Sequence, residues 1–409
     1  MRSPRRLRLA EFQTEAAVRL SPRERDALRR IHPGLRMEPT PGWTDRYNLT
    51  PDQHIGLVAL PSLTLEIRPK IPVSSVLFLI SYSCDAVRWQ ERQADLEDAD
   101  DIVDMVAILL ARAVERATRR GLLTVYHSTE EPLRAPRGKI LFAEHVRRRL
   151  AIAPPIDVQH DEFTADVLEN QILLAALTTL GRAPLRSRAA QRELQRALRA
   201  FGGVSHVRFA PHAVPDIAFN RLNRHYEPAI MLASLVLRSA SVDLGSGSTR
   251  GGAFLLDMNR AFEAFVRAAL RHALNLPQRD FPDRVPHFRL DDAERVVLKP
   301  DLCLRKSGHI LWVGDAKYKS LAAGDHRNSD IYQVLAYTIA LGLRSGTLIY
   351  AAAGASHTND YVVSRAGKRL RVFAIDLSAA PARLLAQIRT IVDRDIVSSA
   401  KAGAVSPAP

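Results

Sequence analysis

Leu298-Lys-Pro-Asp301-Leu-Cys-Leu-Arg-Lys-Ser-Gly308-His-Ile310-Leu-Trp-Val-Gly-Asp315-Ala-Lys317-Tyr-Lys319 is the stretch that decides how this chain reads. Apolar residues dominate two runs, Arg295–Leu304 and Ile310–Tyr318, which predicts two strands. Lys306-Ser-Gly308 between them has the composition of a hairpin turn. Such a hairpin sets Asp301, expected in mid-strand, beside Asp315. Asp315 and Lys317 are two residues apart and share a face of their strand. Two neighbouring carboxylates repel unless a cation lies between them. Hard oxygen ligands with open positions suit Mg²⁺, which polarises a phosphate and acidifies a bound water. A nearby lysine can orient that water and offset charge developing on phosphorus. The same three residues also read as a strand cap plus a surface ion pair, so the flanking sequence has to decide.

Working outward, Leu256–Leu274 has an amphipathic helical period, with Phe262, Val266, Leu270 and Leu274 as its buried stripe. Glu263 borders that stripe and is either a third metal carboxylate or a solvated helix residue. After the hairpin, Ser329–Leu341 reads as a helix carrying Gln333 and Tyr337 on one face. That pair can hold the lysine or a phosphate oxygen, or be ordinary helix surface. Strands at Thr347–Ala352 and Leu370–Leu377 and a helix at Ala380–Val392 complete an α/β sandwich over residues 251–395.

Upstream, Leu7–Phe12, Ile55–Leu60 and Leu63–Arg68 read as strands, and Ser21 caps a short helix up to Arg30. Residues 1–95 therefore form a β-rich domain, and residues 96–250 an α-rich region with helices at Ala99–Arg120, Val167–Leu180, Ala189–Phe201 and Asn223–Ala240, and strand and loop over Leu122–Leu141. Val242–Gly252, dense in glycine and serine, is the expected linker. Residues 396–409 are an expected disordered tail. The fold class is thus mixed α/β.

Composition narrows the partners. The net charge is +14, and 8 of the 58 basic residues are Lys, the other 50 being Arg. The charge points to a polyanion, while the arginine bias alone can reflect codon usage. Against that background Lys317 stands out, because arginine, always charged, is a poor proton partner. Two cysteines, Cys84 and Cys303, are too few for a disulfide framework or a cysteine zinc site. No apolar run reaches the roughly 18 residues of a membrane span, and the basic start lacks an apolar signal core; a cytoplasmic protein without a membrane partner is expected. Gly245-Ser-Gly-Ser-Thr249 lacks the lysine of a phosphate loop, so no nucleotide hydrolysis by this chain is expected.

Pro300-Asp301, Asp315-Ala-Lys317 and Gln333-X-X-X-Tyr337 together resemble the PD-(D/E)XK nuclease superfamily. Leu255-Leu-Asp-Met-Asn-Arg-Ala-Phe-Glu263 and Asp315-Ala-Lys-Tyr-Lys319 look more narrowly like the McrC family, nuclease subunits of McrBC-type modified-cytosine restriction systems. Glu66-Ile-Arg-Pro-Lys-Ile71, Gly121-Leu-Leu-Thr-Val-Tyr126, Arg137-Gly138, Asp161-Glu-Phe-Thr-Ala-Asp166 and Asn170 extend the likeness over most of the chain. The resemblance implies metal ligation by Glu263, Asp301, Asp315 and the Ala316 carbonyl. It implies that Lys317 positions the attacking water, with Gln333 and Tyr337 in support. It further implies Mg²⁺ as cofactor, double-stranded DNA bearing modified cytosine as substrate, and an McrB-like AAA+ motor using GTP or ATP as partner. The motor would dock on the N-terminal half, where Arg134 and Arg137 read either as contacts or as solvated loop arginines. A stand-alone repair or structure-specific nuclease, and a non-catalytic scaffold for the motor, are the competing readings.

Overall fold

A computed structural model describes residues 4–84, 101–148, 154–211, 213–239, 252–319, 326–354 and 356–397. The expected domain boundary at residues 95–96, nearly all of the expected linker and most of the expected tail lie outside the described residues. The chain divides into two compact units, one of Met1–Leu109, Arg182–Ser187 and Ser239–Pro409, the other of Leu110–Gly181 and Arg188–Arg238. The fold is mixed α/β.

The first unit contains a four-stranded sheet in the order Arg5–Ala10, Leu63–Arg68, His54–Ala59, Gly252–Asp257. Arg5–Ala10 runs parallel to Leu63–Arg68, and the other pairs are antiparallel. Alternation in the Leu63–Arg68 strand sends Leu63, Leu65 and Ile67 into a core with Leu9, Leu28, Ile31 and Leu49. The Pro22–Ile31 helix over this core starts as the sequence requires: Ser21 caps it, Glu24 closes the capping box, and Pro22 occupies the first turn. A second sheet, Glu15–Arg19, Arg46–Thr50 and Arg36–Pro39, was not legible because its apolar positions are sparse. Gly252–Asp257 was expected as the linker's end and a helix start; it is a strand that joins the N-terminal sheet, and the helix begins after it at Met258.

The apolar run Val73–Tyr82 lies within the Val73–Cys84 helix, which is buried from Ser75 to Cys84. It packs on the Met258–Ala273 helix, with Phe78 and Tyr82 at 5.5 and 5.6 Å from the Phe265 ring. Among the described residues no helix is long and apolar enough to cross a membrane.

A five-stranded sheet follows, in the order Leu302–Lys306, His309–Lys317, Ser345–Ala352, Lys368–Asp376, His357–Val363. The first pair is the expected hairpin, closed by Ser307 and Gly308, both at positive φ. The central pairs are parallel, reached through the His326–Ala340 helix, and the edge pair at His357–Val363 is antiparallel. Gly346–Ala352 is buried at every residue, as in a parallel strand covered on both faces. The single strand expected over Arg295–Leu304 is broken into Val297–Leu298 and Leu302–Lys306. Pro300 has no N–H to donate to a ladder and holds residues before it out of regular pairing. Asp301 therefore stands at a strand entrance and not in mid-strand.

The buried charge Asp395 is fully partnered under this sheet. The Trp312 Nε1–H donates to it at 2.6 Å, the Thr347 hydroxyl donates as well, and Arg371 Nη1 pairs with it at 2.8 Å.

In the second unit, Val125–Leu133, Ile156–Thr164 and Lys139–Ile140 form a three-stranded sheet beside the helices Leu168–Arg182, Arg188–Leu198 and Glu227–Ser239. The strand expected within Leu122–Leu141 is Val125–Leu133, and it pairs with a strand the sequence did not mark. Ile156–Thr164 escaped detection because its second half, Gln159-His-Asp-Glu162, is polar on both faces. The buried Asn170 amide donates to the carbonyls of Leu123 and Ala165 at 2.8 and 2.7 Å, which fixes the chain entering and leaving the sheet.

Gly56 provides a test of the N-terminal sheet. It has φ +136°, and a Cβ there would sit 2.2 Å from the Phe254 carbonyl oxygen. Gly56→Ala is expected to lower unfolding stability by about 1–3 kcal/mol from backbone strain alone, and by more once the strand shifts. Urea denaturation measures this; an unchanged midpoint would show that the Gly252–Asp257 strand does not pair there.

Candidate active site

Each acidic residue of the site is placed by a different backbone device. Asp315 and Lys317 alternate with buried Gly314 and Ala316 near the end of the His309–Lys317 strand, second in the sheet, so both project from one face. Asp301 enters from the hairpin partner, with Leu302 paired to Gly314. Glu263 lies one turn into the Met258–Ala273 helix, whose N-cap Asp257 accepts the N–H groups of Asn259 and Arg260.

The sheet brings Asp301, Asp315 and Lys317 together. Lys317 Nζ is 2.5 Å from Asp315 Oδ2 and 3.8 Å from Asp301 Oδ2. The two carboxylates are also tied through the backbone: Asp301 N–H donates to Asp315 Oδ1 at 3.3 Å, and Ala316 N–H to Asp301 Oδ2 at 3.0 Å. This reciprocal pair of bonds fixes both carboxylates against the hairpin. Ala316 itself is buried between them.

Asp315 is 0% exposed. Burial, followed by the neighbouring Asp301 charge, pushes its pKa up to about 8 despite Lys317. Glu263 is pushed up to about 7 by burial and then by Asp301, with Arg267 and Lys317 opposing. Burial works against the charge on Lys317, yet Asp315 and Asp301 outweigh it and raise its pKa. The patch therefore holds more negative charge than one lysine balances. Asp315 Oδ2 touches Lys317 as an ion pair but has no hydrogen bond of good geometry. A short run of oxygen donors, an incompletely satisfied buried carboxylate and an excess of negative charge fit a hard divalent cation. Asp301 and Asp315 are the residues that could hold it; Glu263 senses the Asp301 charge from the neighbouring helix, but the three carboxylates do not all lie within 4.8 Å of one another.

Gln333 and Tyr337 lie on one face of the His326–Ala340 helix, four residues apart. Gln333 Nε2 donates to the Tyr337 hydroxyl at 2.6 Å, and Tyr337 donates to the Lys299 carbonyl at 3.1 Å. Tyr337 thus grips the Lys299-Pro300-Asp301 segment, and neither side chain is hydrogen-bonded to Lys317.

Two supports were missed in the sequence. Arg267 Nη2 donates to the Asp301 carbonyl at 3.1 Å, from one turn beyond Glu263; the i,i+4 spacing was its only available signal. Lys319 Nζ pairs with Asp330 at 2.8 Å, and Tyr350 O–H donates to the same carboxylate at 2.8 Å. Asp330 is buried and comes three residues before Gln333, a position nothing in the local pattern marks. In the second unit, Arg137 contacts His160 Nε2 at 2.8 Å.

Comparison with known proteins agrees with this architecture. The chain is 21% identical over 293 residues to the type IV methyl-directed restriction enzyme EcoKMcrBC of Escherichia coli (strain K12), covering 68% of this chain and 84% of that protein. Its fold is shared by a chain in an assembly of Thermococcus gammatolerans McrB AAA+ hexamers with bound McrC, with TM-score 0.53, 16% identity, and coverage of 95% of this chain and 99% of that one. Residues 49–351 match the family described as McrBC 5-methylcytosine restriction system component. That match runs from the N-terminal sheet through the Asp301–Lys317 hairpin, and the chain belongs to this family as a McrC-type protein.

Proposed function

We propose that this chain is the nuclease subunit of a modified-cytosine restriction system, cutting double-stranded DNA in a complex with an McrB-like AAA+ motor. The observation that carries the proposal is the Asp301–Asp315–Lys317 patch, two carboxylates locked to one hairpin with an ammonium between them. Membership in the McrBC family and the fold shared with a chain of the McrB–McrC assembly support the partner. The formal charge of +14 suits a phosphate backbone.

In this reading Asp301 and Asp315 hold Mg²⁺, with the Ala316 carbonyl as a further oxygen. The ion would polarise the scissile phosphate and acidify the attacking water. The chain's own residues do the rest. Lys317, held 2.5 Å from Asp315 and 3.8 Å from Asp301, is placed to orient that water and to offset charge on the phosphate in the transition state. Arg267 and Tyr337 act at one remove, fixing the carbonyls of Asp301 and Lys299 so that the Asp301 carboxylate keeps its place. The sequence has no phosphate loop of its own, so nucleotide hydrolysis in the complex falls to the motor.

Asp315→Ala should reduce DNA cleavage by the assembled complex roughly 10²–10³-fold or more, while the motor's nucleotide hydrolysis stays stimulated. Cleavage and hydrolysis assays on the same complex, with circular dichroism to confirm folding, read both. Undiminished cleavage places the chemistry elsewhere; loss of both activities in a folded variant makes Asp315 structural. Cleavage by the purified chain without nucleotide or partner would favour a stand-alone nuclease.

Proton linkage gives a second expectation. Carboxyl groups with raised native pKa stabilise the fold below their unfolded value, and this contribution is lost as pH rises through about 7 for Glu263 and about 8 for Asp315. Mg²⁺ favours the ionised forms, so its binding should release protons near pH 7 and tighten as pH rises towards 8.5. Calorimetry in two buffers of different ionisation enthalpy should give different heats. Equal heats, or affinity independent of pH, would contradict a cation bound at this patch.

A further inference from the structure

A second cluster of metal-ligating groups lies in the N-terminal sheet, built from His32, Asp52 and His54. His32 follows the Pro22–Ile31 helix as its C-cap, its N–H bonded to the Leu28 carbonyl at 2.8 Å. Its ring is 2% exposed, yet Nε2 has no hydrogen-bond partner. That nitrogen faces Asp52 Oδ1 at 3.5 Å. His54 Nδ1 approaches the same oxygen at 2.8 Å, and His54 Nε2 is 4.0 Å from Asp257 Oδ2. One donor atom from each of His32, Asp52 and His54 lies within 4.8 Å of the other two. Gly34 leaves the space for the carboxylate: a Cβ there would meet Asp52 Oδ2 at 1.8 Å.

An ion pair between His54 and Asp52 explains two of these residues and leaves the third unexplained. If His32 Nε2 carries a lone pair, it faces a carboxylate oxygen across 3.5 Å and the two repel. If it carries the proton, the hydrogen bond it would make is absent. Either way a buried imidazole nitrogen is left unsatisfied, which is costly. A cation between the three groups removes the conflict, because both imidazoles then present lone pairs to it and Asp52 supplies the negative charge.

We propose that His32, Asp52 and His54 form a site for a Zn²⁺-class transition-metal ion. Two imidazoles and one carboxylate are the donors preferred by Zn²⁺, Co²⁺ and Ni²⁺ over Mg²⁺, so this site and the oxygen-donor patch at Asp315 select different ions. Ligand atoms around a tetrahedral Zn²⁺ stand about 3.3 Å apart. The His32–Asp52 spacing of 3.5 Å already matches, and the His54–Asp52 contact of 2.8 Å opens by about half an ångström as the bridging proton leaves. Three protein ligands leave a fourth position for water.

The ion's place in the fold gives it a structural task. His32 ends a helix, and Asp52 and His54 form the turn into the His54–Ala59 strand. Gln53, between them, accepts the N–H of Met258, the first residue of the helix that carries Glu263, and Asp257 caps that helix. A metal here pins the N-terminal sheet to the start of that helix. The inference does not rest on the nuclease reading.

The test uses the full chain, stripped with chelator and titrated with Co²⁺ and Zn²⁺. One equivalent of Co²⁺ should give the visible absorption of a four-coordinate site, Zn²⁺ should displace it, and excess Mg²⁺ should not. Zn²⁺ should raise the melting temperature of the wild type and of Asp315→Ala alike. His32→Ala should lose the absorption and weaken Zn²⁺ binding by more than the roughly 10–100-fold that outer-shell partners are worth. Should that variant not fold, Zn²⁺ protection of His54 against diethylpyrocarbonate in the wild type, read by mass spectrometry, gives the same answer. Absence of the Co²⁺ band, unchanged affinity in a folded His32→Ala, or unprotected His54 would each overturn the proposal.

Discussion

Asp315 has no solvent exposure and a second carboxylate bonded to its backbone neighbour, and much of the first unit is arranged to keep that pair in place. Burying an unpaired carboxylate is costly, and burying two side by side more so. The chain meets the cost with a hairpin register that exchanges Asp301 N–H for Ala316 N–H, with Lys317 against both carboxylates, and with Arg267 and Tyr337 on the carbonyls at either side of Pro300. None of these contacts offsets the burial of the carboxyl groups or the Asp301 charge beside them, so Asp315 and Glu263 both hold protons more tightly than ordinary carboxyl groups.

That residual charge separates a site from a structural network. Asp395, equally buried in the same unit, has a hydrogen bond or ion pair to each oxygen from Trp312, Thr347 and Arg371. Asp315 Oδ2 has an ion-pair contact alone. Two buried aspartates thus differ in what they leave undone, and the incomplete one lies where strand ends and a helix present further carboxylates.

Much of this was legible in the residues. Ser21 marked a helix start, Lys306-Ser-Gly308 marked a hairpin, and the two-residue spacing of Asp315 and Lys317 put them on one face. Local pattern failed where pairing partners are distant. Gly252–Asp257 reads as a helix entrance because its apolar run continues into Met258, and only the His54–Ala59 edge far upstream makes it a strand. Ile156–Thr164 is stabilised by pairing along its whole length with Val125–Leu133, so its polar half needs no apolar alternation. Arg267, Asp330 and the cluster of His32, Asp52 and His54 become visible only once helices and turns are set side by side.

On the proposed reading Asp301 and Asp315 are partners for a divalent cation that the chain cannot replace with its own charges. Diffraction from crystals of the full chain soaked in Mn²⁺, with anomalous signal recorded, tests it most directly. A peak is expected beside the carboxylates of Asp301 and Asp315, with Lys317 displaced from Asp315 Oδ2. Strong peaks elsewhere, with Lys317 still seated on Asp315 and no density between the two aspartates, would contradict it.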